Sequence, residues 1–79
     1  MTNLQKYIEA FTTTFEITED VAKGLNYQDI AAWDSVGHMS LIAALEDTFD
    51  IEMDTEDIID FSSFERGKEI LSNNYHVEF

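Results

Sequence analysis

The stretch "WDSVGHMSLIAALEDTFD", residues 33–50, decides how this chain folds. Val36, Met39, Leu41, Ile42, Ala43, Ala44, Leu45 and Phe49 give it an apolar face wider than a surface helix needs. The pattern predicts a helix over 34–50 that sits centrally and touches several others. Asp34 is a good candidate for its N-cap, because a short carboxylate there accepts a hydrogen bond from the first turn. Ser35 then places a hydroxyl at the mouth of the helix. That hydroxyl could cap, act as a nucleophile, or serve as a point of covalent attachment.

Working outward, Leu4, Tyr7, Ile8, Phe11 and Phe15 fall on one helical face and predict a first helix over 4–15. Thr2 with Gln5 fits a capping box in front of it. The connection that follows, "EITEDVAKGLNYQDIAAW" (16–33), carries Gly24 and Asn26 as breakers and has no sustained period. Such long connections tend to be functional, and Val21, Leu25, Ile30 and Trp33 are the expected pins to the core. Beyond the central helix, Asp54 is placed to cap a short helix over 55–60, anchored by Ile58 and Ile59. Ser62 with Glu65 suggests a capping box for a last helix through about residue 71, with Phe64, Gly67, Ile70 and Leu71 inward. "SNNYHVEF" (72–79) reads as a polar break and tail. No strand pattern competes. The expected fold is all-α, a small four-helix bundle with a long first loop and a short third helix.

The chain has 79 residues, which suits one domain over 1–79. It has no cysteine, so neither a disulfide nor a thiolate metal site is possible. The first residues lack a signal-peptide layout, and no apolar run approaches the roughly 18 residues of a membrane span. A cytoplasmic, monomeric protein is the expectation. Seventeen acidic residues against four basic ones give a net charge of −13. Nucleic acid binding relies on Lys and Arg neutralising phosphates and is disfavoured here, as is an anionic membrane surface. The 44% hydrophobic content argues for a folded core over disorder. The charge would steer the protein to basic partners.

As a nucleophile, Ser35 would need a base, a group to orient the base, and an oxyanion hole. Asp34 and His38 lie on the same turn as Ser35, there is no Gly-x-Ser-x-Gly elbow, and His76 is in the tail. A catalytic role is therefore disfavoured, and no enzyme activity is expected. The acidic run "DIEMDTED" from Asp50 starts like an EF-hand loop, but Thr55 and Phe61 stand where that loop needs Gly and Glu. No metal site is expected.

The remaining option unites the features. Asp34-Ser35-Val36 at the start of a central helix, followed by "LIAALEDTFDIEMDTEDIIDFSSF", resembles the acyl carrier protein family. The likeness covers nearly the whole chain: the first amphipathic helix, the long first loop, the stretch from Leu45 to Phe49, and the short third helix before the fourth. The resemblance implies that Ser35 is esterified by 4′-phosphopantetheine, delivered from coenzyme A by a phosphopantetheinyl transferase. It implies that Asp34 orients the helix start and assists the transferase. A phosphodiester at Ser35 would gain from the helix N-terminus. His38, ordinarily a solvated helix residue, is close enough in sequence to contact that phosphate. Met39, Ala43, Glu46 and Asp47 are the implied partner-facing residues, toward acyl-loading and acyl-transferring enzymes with basic surfaces. Met39 could equally be core, and Glu46 and Asp47 a solvated face. Leu45, Phe49, Ile58 and Ile59 could line the space for a tethered acyl chain, or be ordinary core as apolar residues at such positions more often are. Val36 departs from the commonest Leu, and Gly37 and His38 replace an acidic and a small polar residue. Gly37 costs helix propensity of about 1 kcal/mol and would leave room for the arm or a partner. The competing reading is an unmodified acidic helical domain that occupies a basic surface.

Overall fold

Thr2 opens the first helix as its spacing with Gln5 predicts. In the computed structural model, which describes residues 1–79, the Thr2 hydroxyl accepts from the Gln5 N–H at 3.1 Å. The Gln5 side chain accepts from the Thr2 N–H at 2.8 Å. This reciprocal cap launches α1, Asn3–Phe15, whose stripe of Tyr7, Ile8, Ala10, Phe11 and Phe15 is buried. Four more helices follow: α2 (Glu19–Lys23), α3 (Ser35–Phe49), α4 (Thr55–Asp60) and α5 (Phe64–Tyr75). The fold class is all-α, as expected. There is no strand, only an isolated bridge between Asn26 and Ser63.

The long connection is not structureless, which corrects the four-helix count. The Thr18 hydroxyl accepts from the Val21 N–H and starts the single turn and a half of α2. α2 buries Ala22 completely and leaves Val21, an expected pin, exposed. The other pins hold: Leu25 and Trp33 are buried, and Ile30 packs against the core from a partly exposed position. The loop after α2 is tied to the α4–α5 junction by backbone bonds from Tyr27 N–H to Ser62 C=O (2.8 Å) and from Phe64 N–H to Leu25 C=O (2.9 Å).

That tie also moves the last cap. Ser63, not Ser62, caps α5: its hydroxyl accepts from the Arg66 N–H at 3.0 Å. The Asn26 bridge holds Ser63 extended, as an N-cap requires, so the neighbouring serine cannot take the position. Asp54 likewise makes no side-chain cap for α4. It still holds the extended N-cap position, and its N–H donates to the Tyr75 phenol at 2.8 Å. The polar "SNNY" does not end α5, which runs to Tyr75. Beyond it Val77 is buried, with its N–H on the Leu71 carbonyl at 3.1 Å. Asn3 donates its side-chain amide to Glu78 C=O at 3.0 Å, so the two ends of the chain meet.

α1 packs across α3 and α2, and α2 touches α5. Aromatic rings fill the space between. Phe11 meets Trp33 edge-on at 5.5 Å between centroids and Phe64 at 5.1 Å. Phe15 stacks on Trp33 at 5.5 Å. Such pairs are worth about 0.5–1.5 kcal/mol beyond the area they bury. The Tyr7 hydroxyl is inside the cluster and donates to the Phe64 carbonyl at 2.8 Å. Burial pushes its phenol well above the ordinary tyrosine range, and the negative charge of Glu65 adds to the shift. Gly67 makes this packing possible, since a Cβ there would overlap both the Phe61 ring and the Tyr7 hydroxyl.

Candidate functional site

α3 starts as its sequence dictates. Asp34 is extended, and its carboxylate accepts from the Gly37 N–H at 2.8 Å. Its own carbonyl accepts from the His38 N–H at 2.8 Å. Asp34 is thus the cap, and Ser35 is the first helical residue, exposed. No hydrogen bond within the chain uses the Ser35 hydroxyl. The N–H groups of Ser35 and Val36 also have no backbone acceptor, as the first turn of any helix leaves them.

Gly37 explains how the preceding loop comes so close. A Cβ there would overlap the Ala32 carbonyl oxygen and touch the Phe15 ring at 3.3 Å. The room expected for an arm or a partner is taken by the chain's own backbone. The glycine lets the loop turn directly under the first turn of α3, and that delivers Trp33 into the core.

His38 corrects the expectation of a solvated residue. It is 9% exposed and bridges two elements. Trp33 Nε1–H donates to His38 Nδ1 at 2.9 Å. An indole nitrogen can only donate, so Nδ1 must accept and the proton must sit on Nε2. Nε2–H then donates to the Ile58 carbonyl of α4 at 2.8 Å. The ring stacks on Trp33 (16° between planes) and takes the edges of Tyr27 and Phe61. With both nitrogens engaged inward, His38 has none free for a phosphate on Ser35 or for deprotonating its hydroxyl. The signal was present in the sequence: His38, Leu41, Ile42 and Leu45 share one helical stripe.

Beside Ser35 lies a cleft of about 360 Å³. Met39 from α3 and Ile58 and Ile59 from α4 form its apolar walls, and His38 and Phe61 are at its lining. Tyr27, Ser35 and Ser62 supply hydroxyls. Met39 is half-exposed, and Val36 and Ile59 are more than 70% exposed, at 74% and 76%. Met39 and Ile59 share the cleft, and apolar exposure gathered in one place marks interaction or ligand surfaces more often than scattered residues do. Ser35, His38 and Met39 are therefore brought together.

The other expected site residues separate. Ala43 is exposed on α3. Glu46 is partly buried, and its carboxylate accepts from the Met53 N–H at 2.9 Å, a structural bond. Asp47 is exposed but lines a groove of about 230 Å³ between α1 and α3, with Lys6, Glu9 and Thr13. Of the four residues expected around an acyl chain, only Ile58 and Ile59 line the cleft. Leu45 is fully buried in the core, and Phe49 packs edge-on against Phe79.

α4, the far wall of the cleft, buries no residue of its own. Polar bonds hold it. Tyr75 donates its phenol to Asp57 at 2.6 Å, and Asn74 donates to the same carboxylate at 3.1 Å. Desolvation, then this bond to Asp57, raises the Tyr75 phenol above its ordinary range. Arg66 pairs with Asp60 at the end of α4, and that hydrogen bond holds its guanidinium protonated.

No group of three or more His, Cys, Asp or Glu side chains is arranged to hold a metal ion. No helix is long and apolar enough to cross a membrane. No protein-family model, curated protein or solved structure matches the chain.

Proposed function

We propose that the chain is an acyl carrier protein of the four-helix carrier type, with α2 an added turn in the first loop, and that Ser35 carries 4′-phosphopantetheine. One observation carries the reading. The Ser35 hydroxyl is exposed and unpartnered at the mouth of the longest helix, and it opens onto an apolar cleft.

The residues present suit the group. Asp34 fixes the first turn by holding Gly37, so Ser35 is presented in one orientation. The free N–H groups of Ser35 and Val36 and the dipole of α3 favour a phosphodiester there. Met39 and Ile59 give the arm an apolar bed beside its attachment point. When bound, the arm would supply a terminal thiol for thioester chemistry, and no cysteine in the chain competes with it. Attachment needs only the hydroxyl from this chain: the transferase takes its proton, the oxygen bonds to phosphorus, and the nucleotide portion of coenzyme A leaves. Carrier proteins meet enzymes briefly, so a net charge of −13 suits steering toward basic partners such as the transferase and the acyl-loading enzymes.

The test is intact mass after incubation with coenzyme A and a promiscuous phosphopantetheinyl transferase. The expected result is one added phosphopantetheine on the native chain and none on Ser35→Ala. An unchanged mass, or a modification mapped to Ser40, Ser62 or Ser63, refutes the assignment and favours an unmodified acidic interaction domain.

A further inference from the structure

We propose that His38 sets the length of chain that the Ser35 cleft accepts, so that this protein holds short acyl groups and bars long ones from its interior. The carrier reading supplies the source of the chain; the gate itself rests on the geometry of the cleft.

Ser35 lines the cleft, so a chain fixed there enters without any element moving. A cleft of about 360 Å³ gives such a chain a limited apolar bed, the end of the linker included. His38 and Phe61 line the cleft, and His38 is bonded across it to the Ile58 carbonyl at 2.8 Å. Trp33, fully buried, stacks on the far side of that imidazole and meets Phe11 edge-on.

Deeper entry must part α3 from α4. It breaks the bond from His38 Nε2–H to the Ile58 carbonyl, the hydrogen bond that links the α3 side of the cleft to its α4 wall. A methylene chain offers no acceptor for the ring N–H and no donor for the carbonyl, so both would be left buried and unpaired, which is strongly disfavoured. An apolar residue at position 38 would carry no such penalty and could slide aside. The polar latch on an otherwise apolar helix stripe is thus a length stop. It acts with the bonds from Tyr75 and Asn74 to Asp57 and the Arg66–Asp60 pair, which hold the outer side of a wall that buries no side chain fully.

The absence of cysteine allows a direct test. Ser35→Cys is alkylated with N-ethyl, N-hexyl or N-tetradecyl iodoacetamide, so the label goes only to the introduced thiol. Three resonances are followed by NMR: the indole N–H of Trp33, the sole tryptophan, and the methyl groups of Met39 and Ile59. The melting temperature is read alongside. The expected result is that Met39 and Ile59 move between ethyl and hexyl, with a rise in melting temperature. The tetradecyl chain adds nothing to either, and the indole resonance is the same for all three. In a Ser35→Cys/His38→Leu background, tetradecyl shifts the indole relative to the unlabelled double variant and raises the melting temperature beyond hexyl. A tetradecyl chain that shifts the indole with His38 in place overturns the gate. So does hexyl that leaves Met39 and Ile59 unmoved, or a folded His38→Leu variant that still excludes the long chain. If His38→Leu does not fold, the series with His38 in place decides alone. Alkylation needs no transferase, so failure of the gate and failure of Ser35 to be pantetheinylated are separate results.

Discussion

Gly37→Ala sets local propensity against tertiary packing, with opposite signs. Alanine is favoured over glycine inside a helix by about 1 kcal/mol. Gly37 has no positive φ to preserve, so propensity alone says the change stabilises. The structure says otherwise. The new Cβ would overlap the Ala32 carbonyl oxygen, and the Phe15 ring closes the other side at 3.3 Å. The oxygen belongs to backbone that also positions Trp33, so it cannot swing away like a side-chain tip. Overpacking of this kind costs typically about 1–3 kcal/mol, and an overlap with fixed backbone belongs at the upper end. Subtracting the propensity gain leaves a net loss of roughly 1–2 kcal/mol. For a domain of this size each kcal/mol moves the melting temperature by about 4–8 °C. The expected fall is therefore at least about 4 °C. Gly24→Ala is the control: a Cβ at that position would meet nothing within 4 Å, and its expected effect is neutral to stabilising by about 0.4–1 kcal/mol. Thermal unfolding followed by far-UV circular dichroism measures both. A Gly37→Ala protein as stable as the parent or more so refutes the claim that this glycine exists for the loop's close approach.

Tyr7 makes the fold sensitive to alkali. Its phenol is raised when folded, while an unfolded tyrosine ionises near pH 10. The unfolded state therefore loses the proton first, and stability is full below about pH 10 and falls above it by about 1.4 kcal/mol per pH unit; urea midpoints from pH 9 to 11 should show this slope, reduced in Tyr7→Phe. A net charge of −13 should make salt stabilising, because raising ionic strength from about 0.1 to 1 M shortens the screening length from about 10 to 3 Å; a melting temperature that is flat or lower in salt would count against net repulsion. Glu46 and Asp47 should part company: Glu46→Ala loses a charged hydrogen bond to Met53 N–H and should cost about 1–3 kcal/mol, whereas exposed Asp47→Ala should stay within about 0.5 kcal/mol, as read from urea midpoints. Charge steering by the transferase is thus better tested with Asp47→Lys than with a reversal at Glu46: a modification rate that equals the parent's at low salt removes Asp47 from the recognition surface.

The sequence by itself determined the helices of α1, α3 and α4, because each is written in local terms. The stripes of Leu4 to Phe15 and Leu41 to Leu45 have helical period, and Thr2 and Asp34 cap through bonds that span three residues. The acidic surface and the position of Ser35 at a helix mouth were legible for the same reason. Tertiary structure decided what depended on distant partners. Ser62, with Glu65 three residues on, read as the cap of α5, and the structure gives that place to Ser63, which the bridge from Asn26 holds extended. Asp54 takes the N-cap place of α4 that its sequence suggested, but its carboxylate makes no capping bond, and its N–H is tied to the distant Tyr75 phenol. Gly37 read as a local cost and proved to be a docking point for Ala32. His38 read as solvated because its charge-bearing type suggested water, although its place on the apolar stripe pointed inward. Only the fold could supply an indole donor five residues before it and a carbonyl acceptor twenty residues after it. A buried polar side chain is stable where partners converge from separate elements, and that convergence is a property of the packed chain and not of any one segment.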